Sequence, residues 1–408
     1  MAVTRRPHVL ILVENLSVPF DRRVWQEAKA LEESGHRVTV VCPRDARSPQ
    51  FREHLEGIDI RRFWLPPEGH GLVGLAREYV VALLGMFALA LRVAARRRVD
   101  VVHVCNPPDL LFLVARFLRC AQGASIVFDH HDANPELALQ RGFRPGGVMH
   151  RLLLMLEGLT FRSAQVVIAT NESYRELAMS RGGKRADEVF VVRSAPRAGL
   201  FDAGRNLPEL RQGAELLVLY LGVMGPQDGV DILVDAIDCM SVTARQRARF
   251  VLVGDGPERE NVQAQIEKLG LSDRVHMTGR ISDDDLADYL ATADICVNPD
   301  PPGPLNDIST MNKVVEYLAT ENPIVQFATR EGRHSAGDAS LYAEPGADAF
   351  ARELERLIND ERLRRAMGRR GRERFAAMLA WERQVPVLLE AYRLARSRHR
   401  VLQRRSAH

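Results

Sequence analysis

Paired cysteine is the first thing this 408-residue chain lacks. Its five cysteines, Cys42, Cys105, Cys120, Cys239 and Cys296, are odd in number, widely spaced and free of any CxxC. That pattern excludes a disulfide frame and a thiolate metal site, and reads as reduced core residues of a cytoplasmic protein. Lysine is scarce: four of the 56 cationic residues, the rest being arginine. The opening Met-Ala-Val-Thr-Arg-Arg-Pro leads straight into an apolar strand, so no signal peptide is expected. The one unusually apolar helix, Tyr79 to Leu91, runs thirteen residues without a charge and is followed by Arg92 and Arg96-Arg97-Arg98. It is too short to cross a bilayer, which takes about 20 residues. It reads first as a buried crossover helix. The alternative is an apolar face lying in a membrane surface, with the arginines at headgroup level. No recognition helix, zinc motif or aromatic stacking motif accompanies the arginines, so nucleic acid is not an expected partner.

What is present is enough for two domains, because single cores stop growing near about 250–300 residues. Net charge is only +3, but it is uneven. Residues 1–200 hold 28 Arg and Lys against 21 Asp and Glu, a net +7, and residues 201–408 hold 28 against 32, a net −4. The stretch from Arg393 to Arg405 carries six arginines and no acid, which leaves 201–392 at −10. Folded back on the first half, that tail would raise it to +13, a field suited to an anionic acceptor or an anionic lipid surface. A solvated basic tail accounts for the same residues.

Short apolar runs alternate with helical patterns. His8–Val13, Arg37–Cys42, Val101–Val104, Ser125–Phe128, Val166–Ala169 and Val189–Val192 read as strands, and Arg22–Ser34 as a helix stopped by Gly35. The pattern restarts at Leu216–Leu221, with a helix over Asp231–Met240 and strands at Phe250–Gly254, Val275–Met277, Ile295–Val297 and Ile324–Phe327. Strands alternating with helices imply parallel sheets covered on both faces. The fold class is therefore α/β with two Rossmann-like domains facing a central cleft. The expected domains are 1–203, 214–380 and a C-terminal helix with basic tail, 381–408, returning to the first, with Asp202–Gly213 as linker.

The most informative segment is Ser309-Thr-Met-Asn-Lys-Val-Val-Glu-Tyr-Leu318, which follows the proline-rich loop Asn298–Asp307. A stiff strand exit feeding a capped helix aims unpaired backbone N–H groups at one point, an anion site suited to a diphosphate. Ser309 or Thr310 can cap this helix, Lys313 lies in its first turns, and Glu316 is one turn beyond Asn312 on the same face. The bland reading is an ordinary crossover with a Lys313–Glu316 surface pair.

Beyond this segment, Phe20-Asp-Arg-Arg-Val-Trp-Gln-Glu27, Gly35-His-Arg-Val-Thr-Val40, Asp129-His-His-Asp132 with Pro135-Glu136, Gly254-Asp-Gly-Pro257, Val275–Gly279 and Asn306-Asp307 follow in a set order. Taken together with Ser309–Ala319, they make the whole chain resemble a family 4 glycosyltransferase of the GT-B fold. The resemblance implies transfer of a sugar from a UDP- or GDP-sugar to an acceptor, with retention of anomeric configuration and no bound metal or other cofactor. It makes Glu316 the carboxylate that accepts from the ribose hydroxyls and puts His131 at the donor sugar or reaction centre. Polysaccharide, glycolipid or secondary-metabolite synthesis would be the setting.

The chain departs from the family pattern in two places. The glutamate expected eight residues before Glu316 is Ile308, so either the adjacent Asp307 substitutes at the donor sugar or nothing does. After the first strand of the second half, Gly222 is followed by Val223, and Asp228 stands where relatives carry lysine. Lys313, the helix N-terminus around Ser309 and Thr310, the Gly222–Gly225 backbone and Arg280 remain to stabilise the leaving diphosphate. On the acceptor side, Asp21, Arg22 and Arg23 open the first helix and suit a phosphate- or carboxylate-bearing or lipid-linked acceptor. Their bland reading is a helix cap with solvent-facing arginines. Asp132 could orient His131, and Glu136 could pair with Arg141. His130 and His131, adjacent on a strand, point to opposite faces and share no metal. Asp283-Asp284-Asp285 read as helix N-terminal acids rather than a metal motif. Two other classes remain open: a nucleotide-sugar 2-epimerase of the same fold, and a non-catalytic partner subunit. The enzyme is placed in the cytoplasm, at the inner face of the membrane.

Overall fold

The structure is a computed structural model and describes residues 5–66 and 71–406. It divides into two compact units: residues 1–193 with 384–408, and residues 194–383.

The first unit carries an eight-stranded sheet in the order β3-β4-β2-β1-β5-β6-β7-β8. Its strands are β1 (His8–Leu12), β2 (Arg37–Pro43), β3 (Arg52–Leu55), β4 (Ile58–Phe63), β5 (Val101–Cys105), β6 (Ser125–His130), β7 (Val166–Ala169) and β8 (Val189–Val191). All pairings are parallel except β3 with β4, an antiparallel edge that sequence reading missed. Arg-Glu-His-Leu and Ile-Asp-Ile-Arg-Arg-Phe are too polar to read as buried strands; at an edge one face meets water. The helices are α1 (Arg22–Glu33), α2 (Gly71–Arg96), α3 (Phe112–Gln122), α4 (Asn134–Gln140), α5 (Val148–Ser163) and α6 (Glu172–Ser180).

The second unit holds a fully parallel six-stranded sheet, β11-β10-β9-β12-β13-β14. Its strands are β9 (Leu216–Leu221), β10 (Ala248–Val253), β11 (Val275–Gly279), β12 (Ile295–Asn298), β13 (Ile324–Phe327) and β14 (Ser340–Ala343). Its helices are α7 (Val230–Cys239), α8 (Val242–Arg247), α9 (Arg259–Lys268), α10 (Asp283–Thr292), α11 (Asn312–Ala319), α12 (Arg330–Ala336), α13 (Ala347–Asn359) and α14 (Glu361–Arg374); α15 (Trp381–Ser406) carries the chain back to the first unit from Gln384. Apolar strands such as Leu-Leu-Val-Leu-Tyr-Leu are buried on both faces because helices cover both sides.

Two expectations change, and a third falls outside the described residues. The segment around 202–213 is packed on the second unit, with Arg205 bonded to Asp288 and Arg211 to Asp294. α2 is not a buried crossover. Ala82, Met86, Ala90 and Val93 form one inward stripe, whereas Val80, Leu84 and Leu91 face outward. The helix is long and apolar enough to span a bilayer by composition over Arg77–Arg96. The side chains of Arg398, Arg400, Arg404 and Arg405, four of the six tail arginines, lie outside the described residues.

Candidate functional site

In the first unit the strand ends of β5 and β6 converge on one carboxylate. Asp129 is the register partner of Cys105 on the neighbouring strand, and side chains two apart share a face. Asp129, Cys105 and His103 therefore lie together beneath α1. Arg23 reaches down from the first turn of α1 and binds Asp129 with two bonds, Nε to Oδ2 at 3.0 Å and Nη2 to Oδ1 at 2.7 Å. It also donates to the Val192 carbonyl and lies 3.2 Å from Glu27. His103 completes the cluster: its Nε2 is 3.5 Å from both Glu27 and Asp129, and its Nδ1 is 2.6 Å from the hydroxyl of Tyr392 on α15.

Burial opposes the charge on Asp129, but Arg23, His131 and His103 hold its carboxyl well below the usual range. Burial pushes Glu27 the other way, reinforced by Asp129. His103 stays neutral because burial lowers its pKa.

His131 lies one residue past β6 on the same side as Asp129. Its Nε2 is 2.5 Å from Asp129 Oδ2. A carboxylate can only accept there, so Nε2 carries the hydrogen and Nδ1 is the ring's remaining atom for a ligand. The backbone is fixed by Asn106, whose Oδ1 accepts from the His131 N–H at 2.8 Å and whose Nδ2 donates to the Asp132 carbonyl. Asp129, not Asp132, orients His131. Asn106 was missed, although a polar side chain before two prolines at a strand exit is a readable signal.

The acceptor-side expectation needs correction. Asp21 caps α1, accepting from Val24 N–H, and is 8% exposed. Arg23 is equally buried and its charge is consumed by Asp129. Only Arg22 of the three faces outward. Near the same strand ends sit Glu14 and Asp109, each buried and each raised to about 7 by burial. His130 points to the opposite face, among Phe128, Phe161 and Tyr174, with its pKa lowered to about 3 by burial. Glu136 pairs with Arg181, not Arg141. Donor atoms of His103, Cys105 and Asp129 lie within 4.8 Å of one another, a grouping that could hold a metal, but both Asp129 oxygens are engaged by Arg23 and His131.

The second unit builds its site from backbone. Gly222, just past β9, has φ +154, and a Cβ there would lie 3.0 Å from the Tyr220 hydroxyl and 3.3 Å from Lys313 Nζ. Gly254, past β10, has φ +141, and a Cβ there would sit 1.7 Å from the Gly222 carbonyl oxygen. Only glycines let the two strand exits close this tightly.

Lys313 is turned inward, not toward Glu316. Its Nζ donates to Asp300 Oδ1 at 2.7 Å and stands 4.7 Å above the Tyr220 ring. Burial pushes Asp300 up to about 6 against the pull of Lys313. Burial disfavours the lysine's charge, but Asp300, Tyr220 and Asp228 outweigh it and raise its pKa. At neutral pH the pair is ionic, and Lys313 is not the unshared diphosphate cation the sequence suggested.

Asp228 accepts from Gly225 N–H and holds that turn. Asn306 Nδ2 bonds the carbonyls of Gln227 and Pro301, tying the two strand-exit loops together. The Asp307 carbonyl accepts from Glu331 N–H.

Neither Ser309 nor Thr310 caps α11: Met311 occupies that position with no side-chain cap bond, because the loop stays extended one residue further than its hydroxyls suggest. Glu316 is half-buried on the following turn. Arg280 is exposed after β11, and Arg259, which sequence reading passed over, has its Nη2 3.9 Å from a Cβ built at Gly279. Asp283–Asp285 begin α10, capped by Ser282.

Residues 21–194 match the glycosyl transferase 4-like domain family, and residues 215–360 match the glycosyl transferases group 1 family. An uncharacterized glycosyltransferase of Methanocaldococcus jannaschii is 30% identical over 179 residues, 43% of this chain and 47% of that protein, so the match spans about half of that relative. The 2-deoxystreptamine glucosyltransferase of Streptomyces kanamyceticus is 24% identical over 372 residues, 86% of this chain and 92% of its own length. Among solved structures, Anabaena HepE in complex with UDP-glucose superposes with a TM-score of 0.71 at 17% identity, covering 94% of this chain and 99% of that one.

Proposed function

The chain is a glycosyltransferase of the GT-B type, and we propose that it moves a sugar from a nucleoside diphosphate sugar to an acceptor hydroxyl, with retention of configuration and without a metal. The second unit takes the donor and the first supplies His131 and the acceptor side. The observation that carries the donor reading is the glycine seat at Gly222 and Gly254 beside the Lys313 ammonium. A diphosphate needs close backbone approach, which the seat offers, and a nearby positive charge, which Lys313 shares with Asp300 until that carboxyl takes up a proton. In this reading Glu316, on the turn beyond, is the acceptor for vicinal ribose hydroxyls. Arg280 and Arg259 are the outward cations at the neighbouring strand ends. Asp307, which follows the bridging Asn306, stands in for the missing family glutamate at the donor sugar. The HepE complex supports a UDP-sugar as the first donor to try.

In the first unit, Asp129 keeps His131 in one tautomer, so Nδ1 can accept from a sugar hydroxyl. The acceptor is membrane-presented, at the cytoplasmic face, consistent with the excess of arginine over acid in residues 1–200.

The experiment is a panel of UDP- and GDP-sugars incubated with the protein, with and without a native lipid extract. Release of nucleoside diphosphate with a labelled lipid product is the expected result. Conversion of the donor without an acceptor would identify an epimerase, and donor binding without turnover would mark a non-catalytic partner.

A further inference from the structure

The helices α2, α3 and α5 of the first unit carry an unusual surface. Among the described residues, eighteen large apolar side chains are left exposed, and eight of them lie on these three helices: three on α2, two on α3 and three on α5. Leu84 is 65% exposed, Phe117 43% and Val148 86%. The helices adjoin one another, with Phe87 of α2 and Phe117 of α3 in edge contact at 5.1 Å. Their charge is nearly of one sign. α3 carries no acid, the one acid of α5, Glu157, is buried against His130 and Arg181, and α2 contributes only Glu78 against Arg77, Arg92 and Arg96.

Between α3 and α5 lies a depression of about 380 Å³ lined by Arg116, Arg119 and Arg162 together with Leu159 and Ser163. Arg119 donates to the Ser163 carbonyl at 3.5 Å, and among the described residues none of the three arginines has a carboxylate partner. Three unneutralised guanidiniums around one hollow repel each other unless an anion sits among them.

We propose that this face is a docking surface for an anionic phospholipid bilayer, with a lipid phosphate held by Arg116, Arg119 and Arg162 and the outward apolar side chains entering the acyl boundary. A bilayer fits better than a membrane span of α2, because Ala82, Met86, Ala90 and Val93 are packed inside the unit and extracting the helix would expose them. It fits better than a protein partner because the surface joins scattered apolar tips with cations and almost no acid, the complement of an anionic leaflet. The inference deepens the membrane-presented acceptor and rests on that reading for its purpose only; the surface itself is independent of donor chemistry.

The test uses the full chain and sedimentation with vesicles of phosphatidylcholine, alone or mixed with phosphatidylglycerol. Binding to the mixed vesicles, weakened by salt, is expected. The triple variant Arg116→Gln/Arg119→Gln/Arg162→Gln should lower that binding roughly 100-fold at low salt, and Leu84→Ser/Phe117→Ser roughly tenfold. Both should keep wild-type UDP affinity; because Phe117 also contacts Phe87 and Arg119 also bonds Ser163, thermal melting of each variant checks that it is folded when its vesicle binding is read. Arg404→Gln/Arg405→Gln should bind nearly as wild type. Equal binding to both vesicles, none to either, wild-type binding by the triple variant, or loss on changing the tail alone would overturn the proposal. So would stabilisation of the protein by inorganic phosphate without vesicle binding. UDP affinity lost from the wild type, with vesicle binding intact, would fail the transferase reading and leave this surface standing.

Discussion

The two units share one architecture and place their candidate residues at the same ends of parallel strands, yet they build opposite kinds of site. The first fills its strand ends with side chains: Arg23, Glu27, His103 and Tyr392 are buried together around Asp129, with both Glu27 oxygens and His103 Nε2 left without a hydrogen-bond partner. The second removes side chains, with Gly222 and Gly254 clearing room beside one Lys–Asp pair. A charged network orients one imidazole and costs stability if opened, whereas a glycine seat offers space for an anion that arrives with the substrate. The first unit should therefore respond to mutation mainly through folding, and the second mainly through binding.

The sharpest break of that contrast is Asp129→Ala. It strands the Arg23 guanidinium in the core, and removing one partner of a buried pair costs about 3–5 kcal/mol. Urea unfolding should show that loss; a variant as stable as wild type would mean the network is not what holds Arg23.

Lys313→Met tests the other unit. It removes the ammonium beside the glycine seat and, with it, the partner that lowers the pKa of buried Asp300, so that carboxyl takes up a proton. Nucleotide affinity should fall by roughly 1.5–3 kcal/mol, the worth of a charged hydrogen bond. Glu316→Ala should cost affinity in the lower part of that range with little change in unfolding, because the side chain is only half-buried. Calorimetry with UDP and GDP reads both, and unchanged affinity for each nucleotide removes the residue from the site.

Much of the fold was legible. Continuous apolar runs announced β1, β2, β5 and β9, and the restart at Leu216 announced the second sheet. The β3–β4 edge was not, because solvated strands lose the apolar signal. Of the site, the order of motifs gave Asp129–Asp132, Gly254–Pro257 and Ser309–Ala319. What it could not give was pairing. Arg23 and Asp129 are separated by 106 residues and His103 and Tyr392 by 289, so only the folded chain shows that Arg23 is held inside. Lys313 was misplaced for the same reason: Asp300, thirteen residues earlier, takes it on the inner face of α11.

A smaller effect sharpens the contrast through pH. Above about 6 Asp300 is ionised and cancels Lys313; below it the carboxyl is protonated and the lysine charge is uncompensated. Affinity for a UDP-sugar should rise a few-fold as pH falls from neutral through that value, and Asp300→Asn should flatten the response. A fall in affinity over the same window would contradict the assignment. The smallest effect is none: transfer should survive EDTA, and activity restored only by Mg²⁺ or Mn²⁺ would return attention to the His103, Cys105 and Asp129 grouping and to Asp283–Asp285.

The central claim is that the second unit binds the donor through its glycine seat, and the most direct measurement is calorimetric titration of wild type, His131→Ala and Lys313→Met with UDP- and GDP-sugars in EDTA. The account predicts saturable binding of one nucleotide class to wild type, retained in His131→Ala and weakened at least tenfold in Lys313→Met. Binding to none of them, or binding that Lys313→Met leaves untouched, would contradict it.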